Sequence, residues 1–365
     1  MRPTLAFAGG YTAGHITPGL AVIEWLRDHG VAGDFLFLGA ANGWERELVS
    51  RAGVPFAGLP PVPWAGRGAL TRTLSLLRLV PAVAAARRHL RDTRVSSLVG
   101  LGSFASVAPA LAARSLRIPV TLYEPNASLG LANRLLHRRA RALLVSRLFE
   151  RGQIGDASSV EVGVPLRASV LELSRSVPAA PTRGLRLLVL GGSRGNPFLN
   201  DRMPAVAARL HAAAPAFSLT HQCGHDVPPA ALAVEYAGAG VLARVESYLD
   251  PIAVHLRAAD FVVSAAGAIT LHELAAAGVP ALVVPLDSGG GAHQLRNAAA
   301  FARLTGCPIA MSRDWSAEAV AAEVSRTVHD HELWRRRQAA LRTLAASGDP
   351  AAFARQALRP APSAT

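Results

Sequence analysis

The chain has 365 residues, half of them apolar and 17% charged, so it is long enough for two ordinary domains and is expected to be globular. Its formal net charge of +13 favours anionic partners, but only 5% of the residues are aromatic and no nucleic-acid-binding motif is present, so nucleic acid is not expected as a partner. The chain has no secretory signal and no apolar run near the ~18 residues of a membrane span, which predicts a soluble or peripheral protein.

The first half of the chain alternates short apolar segments with helical patterns. Strands are predicted at residues 5–8, 35–38, 97–101, 120–123 and 142–145, and helices at 18–29, 44–52, 69–90, 105–115 and 129–137. This alternation predicts βαβ units and a parallel sheet. Residues 176–184 are rich in proline and small residues and predict a loop, so we place the domain boundary close to Arg167, between residues 1–166 and 167–347.

The sequence GGYTAGHITP at residues 9–18 joins the first predicted strand to the first helix. Such a turn lets the backbone approach a ligand, and the helix N-terminus attracts anions. Thr17 is predicted as the N-cap and Pro18 as the first helical residue. His15 lies in this turn, where an accessible imidazole is a common general base, although a capping or packing histidine fits the pattern as well.

The second half repeats this design. Strands are predicted at residues 185–190, 218–221, 240–245, 261–264 and 281–285, and helices at 197–213, 251–258, 268–277, 294–304, 317–329, 333–346 and 351–358. After the first of these strands comes GGSRGNP, in which Asn196 is predicted to cap the helix and Ser193 to bind a phosphate oxygen. A plain tight turn is the alternative. Cys223 and Cys307 have no metal-ligand spacing and are expected in the core.

Polar residues follow several of the other strands. Glu273 lies in the helix after residue 267. Either its carboxylate accepts hydrogen bonds from a sugar diol, or it only stabilises the positive N-terminal end of the helix. Gln294 and Asn297 lie on one face of a helix. Either their amides bind sugar hydroxyls, or they are exposed polar residues of a surface helix. Asn126 follows a first-domain strand and either meets a ligand or forms a turn.

Apolar residues flanked by arginines occur twice in the first domain. The helix that contains Leu70, Leu74 and Leu77 lies after Trp64, and a second basic run spans residues 134–141. These segments predict either docking on an anionic membrane surface or ordinary core-facing helices. The run HDHE at residues 329–332 is interpreted as surface, no Asp-x-Asp metal motif is present, and neither metal nor cofactor is expected.

Six motifs, at residues 9–18, 99–103, 123–126, 190–195, 266–280 and 293–298, occur in the order typical of one family. The chain resembles the MurG family, the UDP-N-acetylglucosamine:undecaprenyl-diphospho-muramoyl-pentapeptide N-acetylglucosaminyltransferases of peptidoglycan synthesis. The resemblance implies an α/β protein of the GT-B fold, with two Rossmann-like domains whose parallel sheets face each other across a cleft. It also implies a C-terminal helix, about residues 348–360, that packs back on the first domain.

The resemblance further implies an inverting enzyme without cofactor, peripheral on the cytoplasmic face of the cell membrane, that takes part in cell-wall growth and division. The undecaprenyl-linked acceptor would bind the first domain, with His15 as the base. UDP-GlcNAc would bind the second domain. The acceptor contacts implied are Thr12, Ala13, Gly14 and Asn126, and the donor contacts are Arg167, Ser193, Tyr248, Leu249, Ala268, Glu273, His293, Gln294 and Asn297.

The chain departs from the family pattern at three places. Tyr11 replaces a glycine of the first turn, Ala265 and Ala266 replace an arginine and a serine, and residues 288–291 read SGGG where polar residues are usual. The departures leave two alternatives open. One is a glycosyltransferase with another lipid or natural-product acceptor, and the other is a sugar-nucleotide-binding protein without turnover.

Overall fold

The computed structural model describes residues 4–43, 45–62, 69–153, 159–181, 184–213, 216–286, 292–346, 348 and 350–358; for residues 69–76 and 292 it describes the backbone alone. The chain forms two compact units, one of Met1–Ala168 with Gly348–Thr365 and one of Ser169–Ser347. The division lies two residues beyond the boundary predicted at residue 166.

In the described ranges the first unit holds a seven-stranded sheet and the second a five-stranded sheet. The first sheet consists of β1 (Thr4–Ala8), β2 (Asp34–Ala40), β3 (Phe56–Leu59), β4 (Val95–Gly100), β5 (Val120–Glu124), β6 (Ala142–Val145) and β7 (Ser159–Glu161). The second consists of β8 (Leu185–Leu190), β9 (Phe217–Gln222), β10 (Ala243–Glu246), β11 (Phe261–Ala265) and β12 (Ala281–Val284). Every strand pair described is parallel, as predicted.

Helices separate most of the strands. The first unit has α1 (Thr17–Asp28), α2 (Glu45–Arg51), α3 (Ala69–Asp92), α4 (Val107–Ser115) and α5 (Leu131–Leu136), and α6 (Ala168–Leu171) lies at the division. The second has α7 (Pro197–Ala213), α8 (Pro229–Gly238), α9 (Ile252–Ala258), α10 (Ala268–Ala277), α11 (Ala292–Thr305), α12 (Ala317–His329) and α13 (His331–Ala345), and α14 (Pro350–Ala357) belongs to the first unit again. None of the described helices is long and apolar enough to cross a bilayer.

In both sheets, the early strands are added on one side of the first strand and the later strands on its other side. The orders are β3-β2-β1-β4-β5-β6-β7 and β10-β9-β8-β11-β12. The switch points therefore lie between β1 and β4 in the first sheet and between β8 and β11 in the second. In open α/β sheets, ligands bind beyond the carboxyl ends of the strands at such points.

The core of the first unit follows from the alternation of side chains along β1. Leu5 and Phe7 pack on one face of the sheet with α1 and α14, and Ala6 and Ala8 pack on the other face. In α14, the buried Phe353 meets the Tyr123 ring edge-on at 5.1 Å. The Ala357 carbonyl at the end of that helix accepts a hydrogen bond of 3.1 Å from the Ser97 hydroxyl. These contacts hold α14 on the first unit.

The second unit has its own apolar core around β8 and α7. Leu187 and Val189 pack with Leu199 and Met203 on one face of the sheet. Within the predicted loop, side chains of α13 hold Ser176 and Pro178: Gln338 Nε2 donates to the Pro178 carbonyl at 2.8 Å, and Arg342 donates to the Ser176 carbonyl at 2.7 Å.

Several local features differ from the sequence prediction. The short edge strands β3 and β7 and the helix α8 were not predicted. The prediction of Thr17 as N-cap was wrong by one residue, because Ile16 occupies that position and the Thr17 hydroxyl donates to the Ala13 carbonyl at 3.1 Å. The prediction for Asn196 is confirmed, since its side-chain oxygen accepts the Phe198 and Leu199 N–H groups. Both cysteines are buried and unpaired, as predicted.

Candidate active site

The first glycine-rich turn, residues 9–16, lies at the carboxyl end of β1. The Gly9 N–H donates to the Leu38 carbonyl at 3.2 Å, and a Cβ atom on Gly9 would lie 2.1 Å from the His15 carbonyl oxygen. Only glycine allows the chain to return this closely on itself. The Thr12 carbonyl accepts the His15 N–H at 3.1 Å, and residues Ala13–His15 form one turn of 3₁₀ helix ahead of α1. Thr12, Ala13 and Gly14 thus precede the helix at the switch point of the first sheet.

His15 is fixed to the neighbouring strand. Its Nδ1 lies 2.9 Å from the carbonyl oxygen of Leu101, the residue after β4, and its side chain is half-buried. A carbonyl only accepts hydrogen bonds, so Nδ1 carries the hydrogen in this contact and the ring lone pair is on Nε2. The imidazole therefore has one defined nitrogen that can accept a proton. The arrangement fits the base predicted for this position, which stays a prediction.

Asn126 lies in a turn organised by Glu124, the last residue of β5. The Asn126 N–H and Nδ2 donate to Glu124 Oε1 at 3.2 and 2.7 Å. Oε2 accepts the Gly130 N–H at 2.8 Å and Asn133 Nδ2 at 3.0 Å. The carboxylate is only 2% exposed, so these four donors replace the water that it would otherwise bind.

The Glu124 cluster lies next to His15. A Cβ atom on Gly102 would lie 3.1 Å from His15 Nδ1 and 3.7 Å from Asn133 Nδ2, so both side chains pack on the same glycine. Sequence reasoning selected Asn126 alone and missed Glu124 and Asn133. The signal was a carboxylate at the end of an apolar strand, which is buried only when it has several hydrogen-bond donors.

Arg167 lies between β7 and α6 in the first unit, where its side chain is partly exposed. Its predicted donor contact stays a prediction.

The second glycine-rich turn, residues 191–195, follows β8 and leads into α7. A Cβ atom on Gly195 would lie 2.1 Å from the Cys223 carbonyl oxygen, and the backbone φ of +82° there also requires glycine. Ser193 is half-buried in this turn, and its carbonyl accepts the His225 N–H at 3.3 Å. The turn and the capped start of α7 form the kind of cradle that binds diphosphates.

Tyr248 and Leu249 follow β10 and are connected to the same turn. The His225 ring stacks on Tyr248 with 5.9 Å between ring centroids and 20° between planes. Because the His225 N–H also donates to the Ser193 carbonyl, His225 links Ser193 to Tyr248, two of the predicted donor contacts. Sequence reasoning missed His225. The Leu249 N–H donates to Gln222 Oε1 at 3.3 Å, and its side chain is buried.

Ala268 and Glu273 belong to α10, which begins directly after β11. Ala268 is buried in the first turn, and Glu273 is partly exposed one and a half turns later. The neighbouring His272 points into the core, where its Nδ1 bonds the Ala268 carbonyl at 2.8 Å and burial lowers its pKa to about 4. Of the two neighbouring ionisable side chains on this helix, His272 is therefore buried and Glu273 is accessible.

Gln294 and Asn297, on α11, both hold the backbone of Ala266. Gln294 Oε1 accepts the N–H groups of Ala266 at 3.3 Å and Leu286 at 3.0 Å. Asn297 Nδ2 donates to the Ala266 carbonyl at 3.0 Å, and Asn297 is only 1% exposed. The reading of both as exposed polar residues is therefore wrong. His293 is half-buried one residue before Gln294.

The described structure thus gathers the predicted residues at strand ends within each unit. The first unit brings His15 close to the Glu124–Asn126 cluster, and the second links Ser193 to Tyr248 and the α11 amides to the end of β11. Residues 288–291, Trp64 and Arg67 lie outside the described residues, as do the side chains of Leu70, Arg72 and Leu74. Within the described part of the chain, no group of three His, Cys, Asp or Glu side chains is placed to hold a metal ion.

Two parallel α/β units, each with a glycine-rich turn at its switch point, have the architecture of the GT-B fold. The crystal structure of MurG from Acinetobacter baumannii is similar, with a TM-score of 0.70, 24% sequence identity and coverage of 96% of both chains.

Sequence comparison narrows this class to a family. The model of the glycosyltransferase family 28 N-terminal domain matches residues 5–145, and that of the C-terminal domain matches residues 186–348. The chain belongs to glycosyltransferase family 28. Two curated relatives are both named UDP-N-acetylglucosamine–N-acetylmuramyl-(pentapeptide) pyrophosphoryl-undecaprenol N-acetylglucosamine transferase. The one from Xylella fastidiosa is 39% identical, covering 81% of this chain and 80% of its own, and the one from Verminephrobacter eiseniae is 41% identical, covering 81% and 82%.

Proposed function

We propose that this enzyme transfers N-acetylglucosamine from UDP-GlcNAc to the muramoyl-pentapeptide undecaprenyl diphosphate, with inversion at the anomeric carbon. The names of its relatives support this reaction. The observation that carries the proposal is His15, whose Nδ1 is bound to the Leu101 carbonyl at the switch point beside an anion-binding turn.

In the first unit, the glycine-rich turn with Thr12, Ala13 and Gly14 holds the acceptor diphosphate. Nε2 of His15 takes the proton from the attacking sugar hydroxyl as its oxygen bonds to the anomeric carbon of the donor. Asn126, held by Glu124, contacts the acetamido region. Since the carboxylate fixes this amide before substrate arrives, little ordering is needed on binding.

In the second unit, the bond from the anomeric carbon to the UDP oxygen breaks, and the electron pair leaves with UDP. The turn at Ser193 and the start of α7 stabilise the departing diphosphate. Tyr248 and Leu249 hold the uracil, and Glu273 accepts hydrogen bonds from the ribose diol. Sugar and nucleotide contacts come from Arg167, Ala268, His293, Gln294 and Asn297.

The enzyme would work at the cytoplasmic face of the membrane, where its lipid acceptor lies. On α5, Leu131 and Leu135 are exposed, and the side chains of Arg134, Arg138 and Arg139 around them are exposed too. Leu77 and Val80 are exposed on α3 beside Arg78. Apolar side chains among arginines suit an anionic lipid surface.

The test uses two substitutions of His15. In His15→Asn, the amide nitrogen can replace Nδ1 and keep the bond to Leu101, whereas the nitrogen at Nε2 is lost. We expect UDP affinity and thermal stability to stay near wild type and kcat to fall by about 10²- to 10⁴-fold. His15→Gln places its amide near Nε2 without the Leu101 bond, and should be as inactive but less stable. The assay is the incorporation of radiolabelled GlcNAc into a lipid-linked disaccharide.

Transfer by the wild type and loss of transfer in both variants would support the proposal. Full activity of His15→Asn would exclude His15 as the base. The second candidate is a transferase with a different acceptor, which the replacement of glycine by Tyr11 favours. Turnover only with another acceptor would support it, and UDP binding without any turnover would make the chain a binding protein.

A further inference from the structure

Tyr11 has an unusual backbone for its residue type. Its φ of +67° lies in the left-handed region, which residues with side chains seldom occupy. Such conformations persist where the surrounding structure imposes them, and they concentrate at ligand sites. Here the position lies one residue before Thr12, inside the first glycine-rich turn.

The Tyr11 side chain joins two distant segments. Its hydroxyl donates to the carbonyl of Val62 at 3.3 Å, across 51 residues of chain. Val62 follows β3 and is itself buried, so the acceptor is a fixed point. Partial burial raises the pKa of Tyr11, and the charge of Glu45 raises it further, while 38% of the residue stays exposed at the turn.

The other side of the turn is fixed by Glu45. This carboxylate is buried, and its Oε1 accepts the Ala40 N–H at 3.1 Å. A Cβ atom on Gly10 would lie 2.6 Å from the same oxygen, so the turn rests directly against it. Glu45 thus supports the turn at residue 10, and Val62 holds it at residue 11.

We propose that Tyr11 is a positioning residue that holds the first glycine-rich turn in the shape that accepts a prenyl-linked diphosphate. The proposal rests on the proposed function. A rigid turn holds its backbone N–H groups at fixed separations, so it discriminates between two phosphates and one. A flexible turn would bind both, and more weakly.

Two variants and one control test this inference. Tyr11→Phe keeps the ring and removes the bond to Val62, and Tyr11→Gly removes the tether while suiting the backbone. Arg117→Gly is the matched control, because Arg117 also has a positive φ, of 58°, but lies exposed before β5, at the amino ends of the strands and away from the turn. The readouts are kcat, KM for UDP-GlcNAc, KM for the lipid acceptor, and the preference for diphosphate- over monophosphate-linked acceptor analogues.

We expect the acceptor KM to rise about threefold in Tyr11→Phe, since the lost bond of 3.3 Å is longer than an ordinary O–H···O hydrogen bond, and about tenfold or more in Tyr11→Gly. The preference for diphosphate should fall in the same order. The UDP-GlcNAc KM should stay within about twofold in all variants, and Arg117→Gly should match the wild type throughout. Unchanged acceptor KM and selectivity in Tyr11→Gly would overturn the inference, as would equal rises in both KM values.

Failure of the proposed function would be visible separately, as a wild type that does not glycosylate the lipid acceptor. In that case, the role of Tyr11 is tested by measuring the affinity of farnesyl diphosphate for the wild type and for Tyr11→Gly by calorimetry. Weaker binding to the variant supports the role of Tyr11, and equal binding refutes it.

Discussion

The substitution Glu124→Gln tests whether one buried carboxylate organises the acceptor half of the site. In the wild type, Oε1 accepts two hydrogen bonds from Asn126, and Oε2 accepts one from Gly130 and one from Asn133. Glutamine has one amide oxygen, and its nitrogen only donates. Whichever way the amide is turned, two of the four donors lose their acceptor and face another donor.

The expected loss follows from those two contacts. A hydrogen bond to a charged group contributes about 1.5–3 kcal/mol, so losing two sets an upper range of about 3–6 kcal/mol. Local relaxation reduces this, and we expect the free energy of unfolding to fall by about 3 kcal/mol. Since either Asn126 or Asn133, the side chain packed beside His15, loses its anchor, kcat/KM for the acceptor should fall by about 10- to 100-fold.

Urea denaturation and steady-state kinetics with both substrates measure these effects. Asn126→Ala serves as the comparison, because it removes one donor and leaves Glu124 with three. It should lower the free energy of unfolding by about 1 kcal/mol and should raise the KM for the acceptor more than the KM for the donor. If Glu124→Gln unfolds and turns over like the wild type, or loses donor and acceptor affinity equally, the carboxylate does not organise this half of the site.

Three further predictions concern stability and the donor half. Burial lowers the pKa of His221 to about 3 and of His272 to about 4. Below pH ~6.5, these histidines are therefore protonated in the unfolded chain but stay neutral in the folded chain. The free energy of unfolding should therefore fall by about 1.4 kcal/mol per pH unit for each histidine between pH ~6.5 and ~4, a slope that the double variant to glutamine flattens. Gly195→Ala, whose Cβ would meet the Cys223 carbonyl at 2.1 Å, should abolish UDP binding in calorimetry, whereas Gly238→Ala, at the end of α8 with nothing within 4 Å of its Cβ and no positive φ, should leave it unchanged. Phe353→Ala should cost about 3–5 kcal/mol in thermal or chemical unfolding, because it empties a fully buried site against Tyr123.

The regular parts of the fold were accessible from sequence because their signals are local. The apolar run of β8, the glycines after it, and Asn196 with Pro197 lie within thirteen residues, and each acts on its immediate neighbours. The edge strands β3 and β7 were missed because they are only four and three residues long and pair on one side. Their strand conformation depends on pairing with β2 and β6, whose partner residues lie 19 and 16 residues earlier in the chain.

The candidate site was predictable in its positions but not in its connections. The sequence places His15 after β1, but not the Leu101 carbonyl that selects its tautomer, because that carbonyl follows β4. The amides of Gln294 and Asn297 were expected to meet a sugar, and the structure adds a backbone role at Ala266, 28 and 31 residues away. Tyr11 was recognised as a departure, whereas its tether to Val62 depends on how β3 returns to the sheet.

The two switch points use one topology for different chemistry. At the first, the strand next to β1 supplies a carbonyl that orients an imidazole, and β5 supplies a carboxylate that orients an amide. At the second, the end of β11 is held from outside by two amides of α11, and the turn after β8 has a helix start and a serine. A proton acceptor needs one nitrogen kept basic, and a departing diphosphate needs several donors around it. These differences agree with the assignment that the family resemblance implies and that we propose, with the acceptor in the first unit and the donor in the second.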